Sequence, residues 1–421
     1  MRKRQHWMWA GSGLLALACG GGGPGGGTEA VPRFDLGLSA PNALVPNPAA
    51  EGDPGSTATP DQGMAAGAGD TPSDRVETNL PAGTPLQGAT TDPEGMTPGA
   101  ATPPGDASNP AQPGDANPGP VATCGVVPAN PNATAQARNL LCYLYSIYGN
   151  FVLSGQQETS WANPQNDIDY IRDNTGEFPA ILGGDLLYPN GTTDRAIAYW
   201  NAGGIPMLRY HMGAPPLGDS YDNSMASSNI AAVLNEGTAE NRSFMSKLDY
   251  AARELQRLED AGAAVLWAPF HESQPNGWFW YAKGNSDQLI QLWRIMFDYL
   301  TQTKGLNNLI WIFPSSGSPN ASIYPGTAYS DLAGPDTYAR NQPFTQLFGT
   351  ARGIFGETVP IPLHETGTIP DPEAMFNNNA APWVLFSVWA GYEMSNNSVA
   401  DLRRAYTHER TLNRDDLPSF D

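Results

Sequence analysis

Two glutamates carry the chemistry that this sequence can hold. Glu272 lies in the stretch WAPFHESQPNGWFWY (267–281) and Glu365 in HETG (364–367), each directly after a histidine, His271 or His364. They stand 93 residues apart, from 272 to 365, which matches three βα units of about thirty residues each. If both close strands of an eight-stranded parallel ring, their side chains face each other across its mouth. Facing carboxyl groups suit the cleavage of a glycosidic bond, one protonating the leaving oxygen while the other attacks the anomeric carbon. The aromatics after Glu272 (Trp278, Phe279 and Trp280) supply both flat surface for sugar rings and a dry wall of the kind that keeps an acid protonated.

Such residues need a scaffold that brings strand ends together. Eight short apolar runs qualify as strands: 150–158, 178–188, 204–212, 263–272, 307–316, 330–338, 359–367 and 382–391. They are nearly continuous in apolar character, as strands of a sheet buried on both faces are. The spacing predicts helices between them, over 240–261 (Phe244, Leu248, Ala251, Ala252, Leu255, Leu258) and 286–303 (Leu289, Leu292, Trp293, Met296, Leu300). Alternation of this kind over about 300 residues reads as one α/β domain, a (β/α)8 TIM barrel over 121–421. The sixth strand, with only DLAG as its apolar part, is the shortest signal. Active sites of such barrels sit where the strands end. The ends here offer Gln156, Gln157, Glu158, Asp185, Arg209, Tyr210, His211, His271, Glu272, Ser315, Asp336, Tyr338, His364, Glu365 and Trp389. Trp267 and Trp311, inside strands, read as packing, and Phe279 as core between two outward tryptophans. Which of Trp278 and Trp280 meets sugar stays open.

Two other readings compete. His211, His271, Glu272, His364 and Glu365 could form a nitrogen and oxygen ligand set. However, no H-E-x-x-H spacing occurs, and strand neighbours point to opposite faces, so no metal and no cofactor are expected. A non-catalytic glycan-binding protein would also use the tryptophans, but two opposed glutamates would then be a desolvation cost without a purpose. An ion pair of Glu272 with Arg209 is the structural alternative for that glutamate.

The stretch PFHESQPNGWFWY (269–281), with LIQLWRIMFDYL (289–300), GLNNLIWIF (305–313), YPG (324–326) and HETG, resembles glycoside hydrolase family 26, whose best-known members are endo-β-1,4-mannanases. LSGQQE (153–158) and YHMGAPP (210–216) add to the likeness, which runs over 142–391. The resemblance implies Glu272 as general acid/base and Glu365 as nucleophile of a retaining double displacement. It implies that Tyr338, after Asp336, hydrogen-bonds the nucleophile, and that His211 and His271 contact sugar or hold Glu272. Trp278 and Trp389 would be stacking floors at the cleavage point. The implied partner is a β-mannan polysaccharide or oligosaccharide, acted on by a monomer. β-Xylan and mixed-linkage β-glucan remain alternatives within the wider family.

The N-terminal third reads differently. Arg2, Lys3 and Arg4 precede an uncharged apolar stretch and Cys19, the anatomy of a signal peptide over 1–19. LALAC (15–19) suits a bacterial lipoprotein lipidated at Cys19, its only membrane attachment, and Ala16-x-Ala18 suits ordinary secretion. Residues 20–120 are rich in Gly, Pro, Ala, Asp and Thr, with Phe34 as the one aromatic, and this composition is expected to form a disordered, extended linker. Its twelve acids against Arg33 and Arg75 hold half of the chain's net charge of −20. No basic patch stands out, which argues against nucleic acid as a partner. In an exported protein, Cys124 and Cys142 are expected to form a disulfide.

Overall fold

The computed structural model describes residues 124–158, 166–188 and 191–421. Cys19, the 1–19 signal reading and the 20–120 linker reading lie outside the described residues.

Eight parallel strands close into a barrel. β1 runs in two pieces, Val152–Leu153 and Gly155–Gln157, and is followed by β2 (Ile181–Asp185), β3 (Ile205–Arg209) and β4 (Val265–Trp267). Next come β5 (Leu309–Ser315), β6 (Leu332–Thr337), β7 (Pro362–Thr366) and β8 (Leu385–Val388). Neighbours in sequence pair in parallel all the way round, and β8 returns to β1. A short ninth strand, Thr411–Leu412, pairs with the first piece of β1 outside the ring. The sixth candidate strand, weakest in the sequence, forms six residues paired on both sides. The fourth is shorter than its apolar run: β4 ends at Trp267, and Glu272 stands five residues beyond it on a loop.

The helices follow their local signals. α1 (Ala135–Ile147) precedes the barrel; α2 (Asn166–Thr175), α3 (Thr192–Asn201), α4 (Ala239–Asp260), α5 (Ser286–Asp298), α6 (Thr345–Phe355), α7 (Pro372–Phe376) and α8 (Val399–Tyr406) alternate with strands. Thr238 caps α4 by accepting from Asn241 N–H, and Gly262 ends it at φ +73°, a conformation that only glycine adopts cheaply. Asn285 and Gln288 form a reciprocal capping box at α5, which runs on into a π-helical turn, Tyr299–Thr303. Between β5 and β6 the connection holds a 3₁₀ turn, Ala321–Ile323, in place of a full helix.

Alternation along the strands separates two packing layers. Ile181, Ile205, Met207, Leu266, Ile310, Ile312, Leu332 and Leu385 cluster with Leu140, Leu141 and Leu144 of α1, which plugs the barrel's N-terminal end. Leu208, Val265, Trp267, Trp311 and Phe313 point the other way, into the helices. Trp267 and Trp311 are fully buried, as in-strand tryptophans should be. Toward the C-terminal end the interior changes from apolar to polar, beginning with Asp185 and Arg209, which pair in register. Cys124 and Cys142 form the expected disulfide, with Cα atoms 5.4 Å apart, fixing the segment before α1 to that helix.

Candidate active site

Glu365 lies within β7, opposite Asp336 of β6 in register, and is 2% exposed. Its Oε1 accepts a 2.6 Å hydrogen bond from the hydroxyl of Tyr338. Its Oε2 faces Nε2 of His271 at 3.0 Å and Nε of Arg209 at 3.5 Å. Arg209 is fully buried; its remaining nitrogens donate to the Gln157 side chain and the His364 carbonyl. Arg209 thus belongs to Glu365 and not to Glu272. Burial, reinforced by the Glu365 charge and hydrogen bond, holds the Tyr338 phenol well above its ordinary value, so it remains a donor.

Glu272 sits on a turn that ordinary side chains rarely adopt. Phe270 (φ 49°), Glu272 (φ 51°) and Asn276 (φ 57°) are all left-handed, each costing about 1 kcal/mol or more. Ser273 fastens the turn: its hydroxyl donates to the Phe270 carbonyl at 2.7 Å, and its backbone bridges to Pro314 and Ser316 beside β5. This geometry leaves Glu272 half-buried and turned into the mouth, where Trp278 Nε1 donates to its Oε2 at 2.8 Å. Burial, then the charge of Glu272 and a hydrogen bond to it, hold the Asp336 carboxyl well above the usual carboxylate range. Asp336 therefore keeps its proton and donates it to Glu272.

The left-handed turn also overturns one expectation. Adjacent residues were expected not to serve one centre, yet ligand atoms of His271, Glu272, Asp336 and Glu365 all lie within 4.8 Å of one another. The rule of opposite faces holds along a strand, and His271 and Glu272 are not on one. These donors already have internal partners: Trp278 and Asp336 on Glu272, Tyr338 on Glu365.

The histidines divide by environment. Burial lowers His271 well below its ordinary value, which makes it a neutral ring beside Glu365. Its backbone carbonyl accepts from Tyr281 Oη, and Trp389 stacks parallel to its ring at 6.3 Å. His364, between Arg209 and His271, is lowered to about 3 by burial and then by those neighbours, and it bonds the Ser315 carbonyl at 3.0 Å. It takes no part in the mouth. His211 behaves oppositely: burial works against its charge, but Asp185 at Nδ1, with the charges of Glu365 and Glu272, raises its pKa. Neither His211 nor His271 holds Glu272; they hold to Asp185 and Glu365 respectively. The two tryptophans left open as sugar-stacking candidates differ in exposure. Trp278 is 49% exposed, whereas Trp280 is fully buried and donates to the Met212 carbonyl. Phe279 is core, as expected.

Tyr221 escaped the sequence reading, and Asp185 and Arg209 were read at the mouth without partners. Both were visible as strand ends, but only the register shows their partners. Tyr221, 48% exposed and 6.0 Å from the His211 ring, lies far from any strand end.

Residues 129–416 match the sequence model of glycosyl hydrolase family 26. The chain belongs to that family. A mannan endo-1,4-β-mannosidase of Thermothelomyces thermophilus is 32% identical over 69% of this chain and 63% of its own length. One of Bacillus subtilis is 31% identical over 51% of this chain and 66% of its own. The chain spans about half to two thirds of the length of the first curated relatives it matches. Among solved structures, a Podospora anserina β-(1,4)-mannanase superposes with a TM-score of 0.62 at 32% identity, covering 74% of this chain and 72% of that one. A β-mannanase from a symbiotic protist of the termite Reticulitermes speratus, in complex with a gluco-manno-oligosaccharide, gives 0.62 at 28% identity over 69% and 97%.

Proposed function

We propose that this family 26 protein is an endo-β-1,4-mannanase that cleaves its polymer by double displacement. Glu365 attacks the anomeric carbon while Glu272 donates a proton to the leaving oxygen. Glu272 then takes a proton from the water that releases the glycosyl-enzyme. The observation that carries this reading is the closeness of the two carboxyl groups, with oxygens within 4.8 Å. Retaining enzymes hold their carboxyls about 5–5.5 Å apart, whereas inverting ones need about 6.5–9.5 Å to seat a water. The unequal surroundings support the division of labour. Glu365 is fixed in a strand, with a hydroxyl donating to one oxygen and His271 and Arg209 beside the other, as suits a nucleophile. Glu272 is half-exposed beside Trp278, where a departing sugar can reach it. The names of the relatives support mannan as substrate, and exposed Trp278, Tyr221 and Tyr338 supply rings for sugar faces.

The test is the anomeric form of the first product. Proton NMR of β-mannan digestion should show the β-anomer first, with the α-anomer appearing only by mutarotation; α first would overturn double displacement. A parallel panel of β-mannan, β-xylan and mixed-linkage β-glucan decides the substrate, and cleavage of only the latter two would overturn the mannanase reading.

We further propose that the catalytic domain is displayed outside the cell from Cys19 through the 20–120 segment. Removing 20–120 should leave the rate on short soluble oligosaccharides unchanged. A large loss there would refute a purely tethering role.

A further inference from the structure

The proposed reaction uses neither of two acids buried behind the loop that carries Trp389. Glu393 lies in the one-turn helix Tyr392–Ser395 after β8, and Asp167 in the first turn of α2; they are 0% and 1% exposed. Glu393 Oε2 accepts a 2.8 Å hydrogen bond from Nε2 of Gln156 at the end of β1. Asp167 Oδ1 accepts a 3.0 Å bond from the N–H of Gly391, two residues past Trp389 and left-handed at φ 78°. The other oxygen of Glu393, Oε1, is buried without a donor, and Asp167 is the charged group facing Glu393. Two carboxylates cannot bond without a proton between them, and their charges in a buried site repel.

We propose that Asp167 and Glu393 are positioning residues, a carboxyl pair that shares one proton and clamps the loop after β8 to β1 and α2, so that Trp389 stays against His271. The clamp reaches Trp389 by a short path. The Trp389 N–H is tied to Thr366 of β7 at 2.9 Å, and its carbonyl takes the N–H of Tyr392 at 3.0 Å. Trp389 lies parallel to His271 and 6.0 Å from the Arg209 guanidinium, both of which face Glu365. Loosening Gly391 and Glu393 therefore frees the ring that the family resemblance implies as a stacking floor at the cleavage point of the proposed reaction; the catalytic consequence rests on that reading, the clamp itself does not.

The groups around Glu393 leave the proton little alternative. Asp167 faces it from α2, Gln156 from β1 and Tyr406 from α8, and among the described residues no Lys, Arg or His pairs with Glu393. Burial keeps the Tyr406 phenol well above its ordinary value, hence neutral. Burial first, then the hydrogen bond and charge of Asp167, raise Glu393 to about 9. A raised carboxyl favours the closed loop fully below the ordinary value of 4.5, and the preference declines as pH rises toward about 9.

The test is amide hydrogen exchange of residues 389–397 in the full chain between pH 5 and 9, corrected for the intrinsic rate. In wild type the protection should fall with pH by up to about tenfold per unit. Glu393→Gln donates to Asp167 and accepts from Gln156 without a titrating proton, so its protection should be flat. Asp167→Asn leaves Glu393 buried and titratable, so its protection should still fall with pH, over a narrower range than in wild type. Glu393→Ala should lose protection at every pH and raise KM on a soluble manno-oligosaccharide at least tenfold, with kcat changed less; Glu393→Gln should restore KM. Parallel wild-type and Glu393→Gln profiles would overturn the shared proton. A KM for a folded Glu393→Ala within twofold of wild type would overturn the positioning role. If wild type cleaves no β-glycan, the functional reading fails and the exchange result still decides the clamp.

Discussion

Tyr338→Phe removes one oxygen from the site and nothing else. The Tyr338 ring is wedged: a Cβ on Gly367 would come within 2.6 Å of its Cδ1, and the Tyr392 ring meets its edge at 5.3 Å. Phenylalanine therefore occupies the same place, and the loss is the 2.6 Å bond to Glu365 Oε1. A hydrogen bond to a charged group contributes about 1.5–3 kcal/mol, which corresponds to roughly 10- to 150-fold in rate. The upper half of that range is expected, because Glu365 is buried and water cannot replace the donor. The remaining contacts from His271 and Arg209 both fall on Oε2, so Oε1 is left bare and free to rotate away from the anomeric carbon. The assay is kcat/KM on soluble manno-oligosaccharides, alongside Tm. The expected outcome is a fall within that range with Tm essentially unchanged. A change below threefold would refute the idea that this hydroxyl holds the nucleophile.

Three further outcomes follow from the same geometry. In Asp185→Asn, the largest offset to burial at His211 is lost and only the charges of Glu365 and Glu272 remain, so the ring should titrate lower than in wild type, as followed by its Cε1–H NMR shift. Because His211 is raised in the fold, its share of stability is full below 6.5 and lost as pH rises through the raised value. The variant should therefore lose most stability on the acid side, and a His211 unmoved by the change would contradict the pairing. Dialysis against EDTA should leave the hydrolysis rate unchanged, since the carboxyls of Glu272 and Glu365 are already engaged by Trp278, Asp336 and Tyr338; a loss restored by one divalent ion would reverse that conclusion. Cys124→Ser with Cys142→Ser opens a link spanning 18 residues, worth about 3 kcal/mol by chain entropy, and should lower Tm by several degrees, at most about 10 °C. No change in Tm would mean that the bridged segment comes away before the barrel unfolds.

The barrel was legible because its signals are periodic and local. Each strand had an apolar run, α4 had Thr238 at its start and Gly262 at its end, and polar residues gathered where runs stopped. Glu272 and Glu365 were legible for the same reason, as strand-end carboxyls three units apart. What stayed hidden depends on backbone turns and register. Nothing in PFHESQPN marks Phe270, Glu272 and Asn276 as left-handed, since none is glycine, so the apolar run was read as strand through Glu272. The assignment of Arg209 to Glu365 depends on which side chains enter the barrel interior together. Asp167 and Glu393 lie 226 positions apart (167 to 393) on elements with no strand-end signature, and their meeting is a property of the closed ring.

The two glutamates are held in different ways, and the difference matches the roles proposed for each. A nucleophile must approach one carbon along one line, and the setting of Glu365 suits the nucleophile role proposed for it: a regular strand, a buried carboxylate, the Tyr338 hydroxyl on one oxygen and the His271 and Arg209 side chains beside the other. An acid/base must give a proton, let a sugar leave and then receive a proton from water, so it needs access and a partner that adjusts. Glu272 has both, in a half-open position on a strained turn between Trp278 and the proton-bearing Asp336. Asp336 lets the charge on Glu272 vary without a cation, because a neutral acid stabilises the carboxylate by donating and can rotate to accept when Glu272 is protonated. An aspartate locked in its charged form would instead repel that carboxylate at the step where it must ionise. The strain at Phe270 and Glu272 is thus the cost of lifting one carboxyl off the end of β4 into the mouth, while the rigid strand keeps the other where it is.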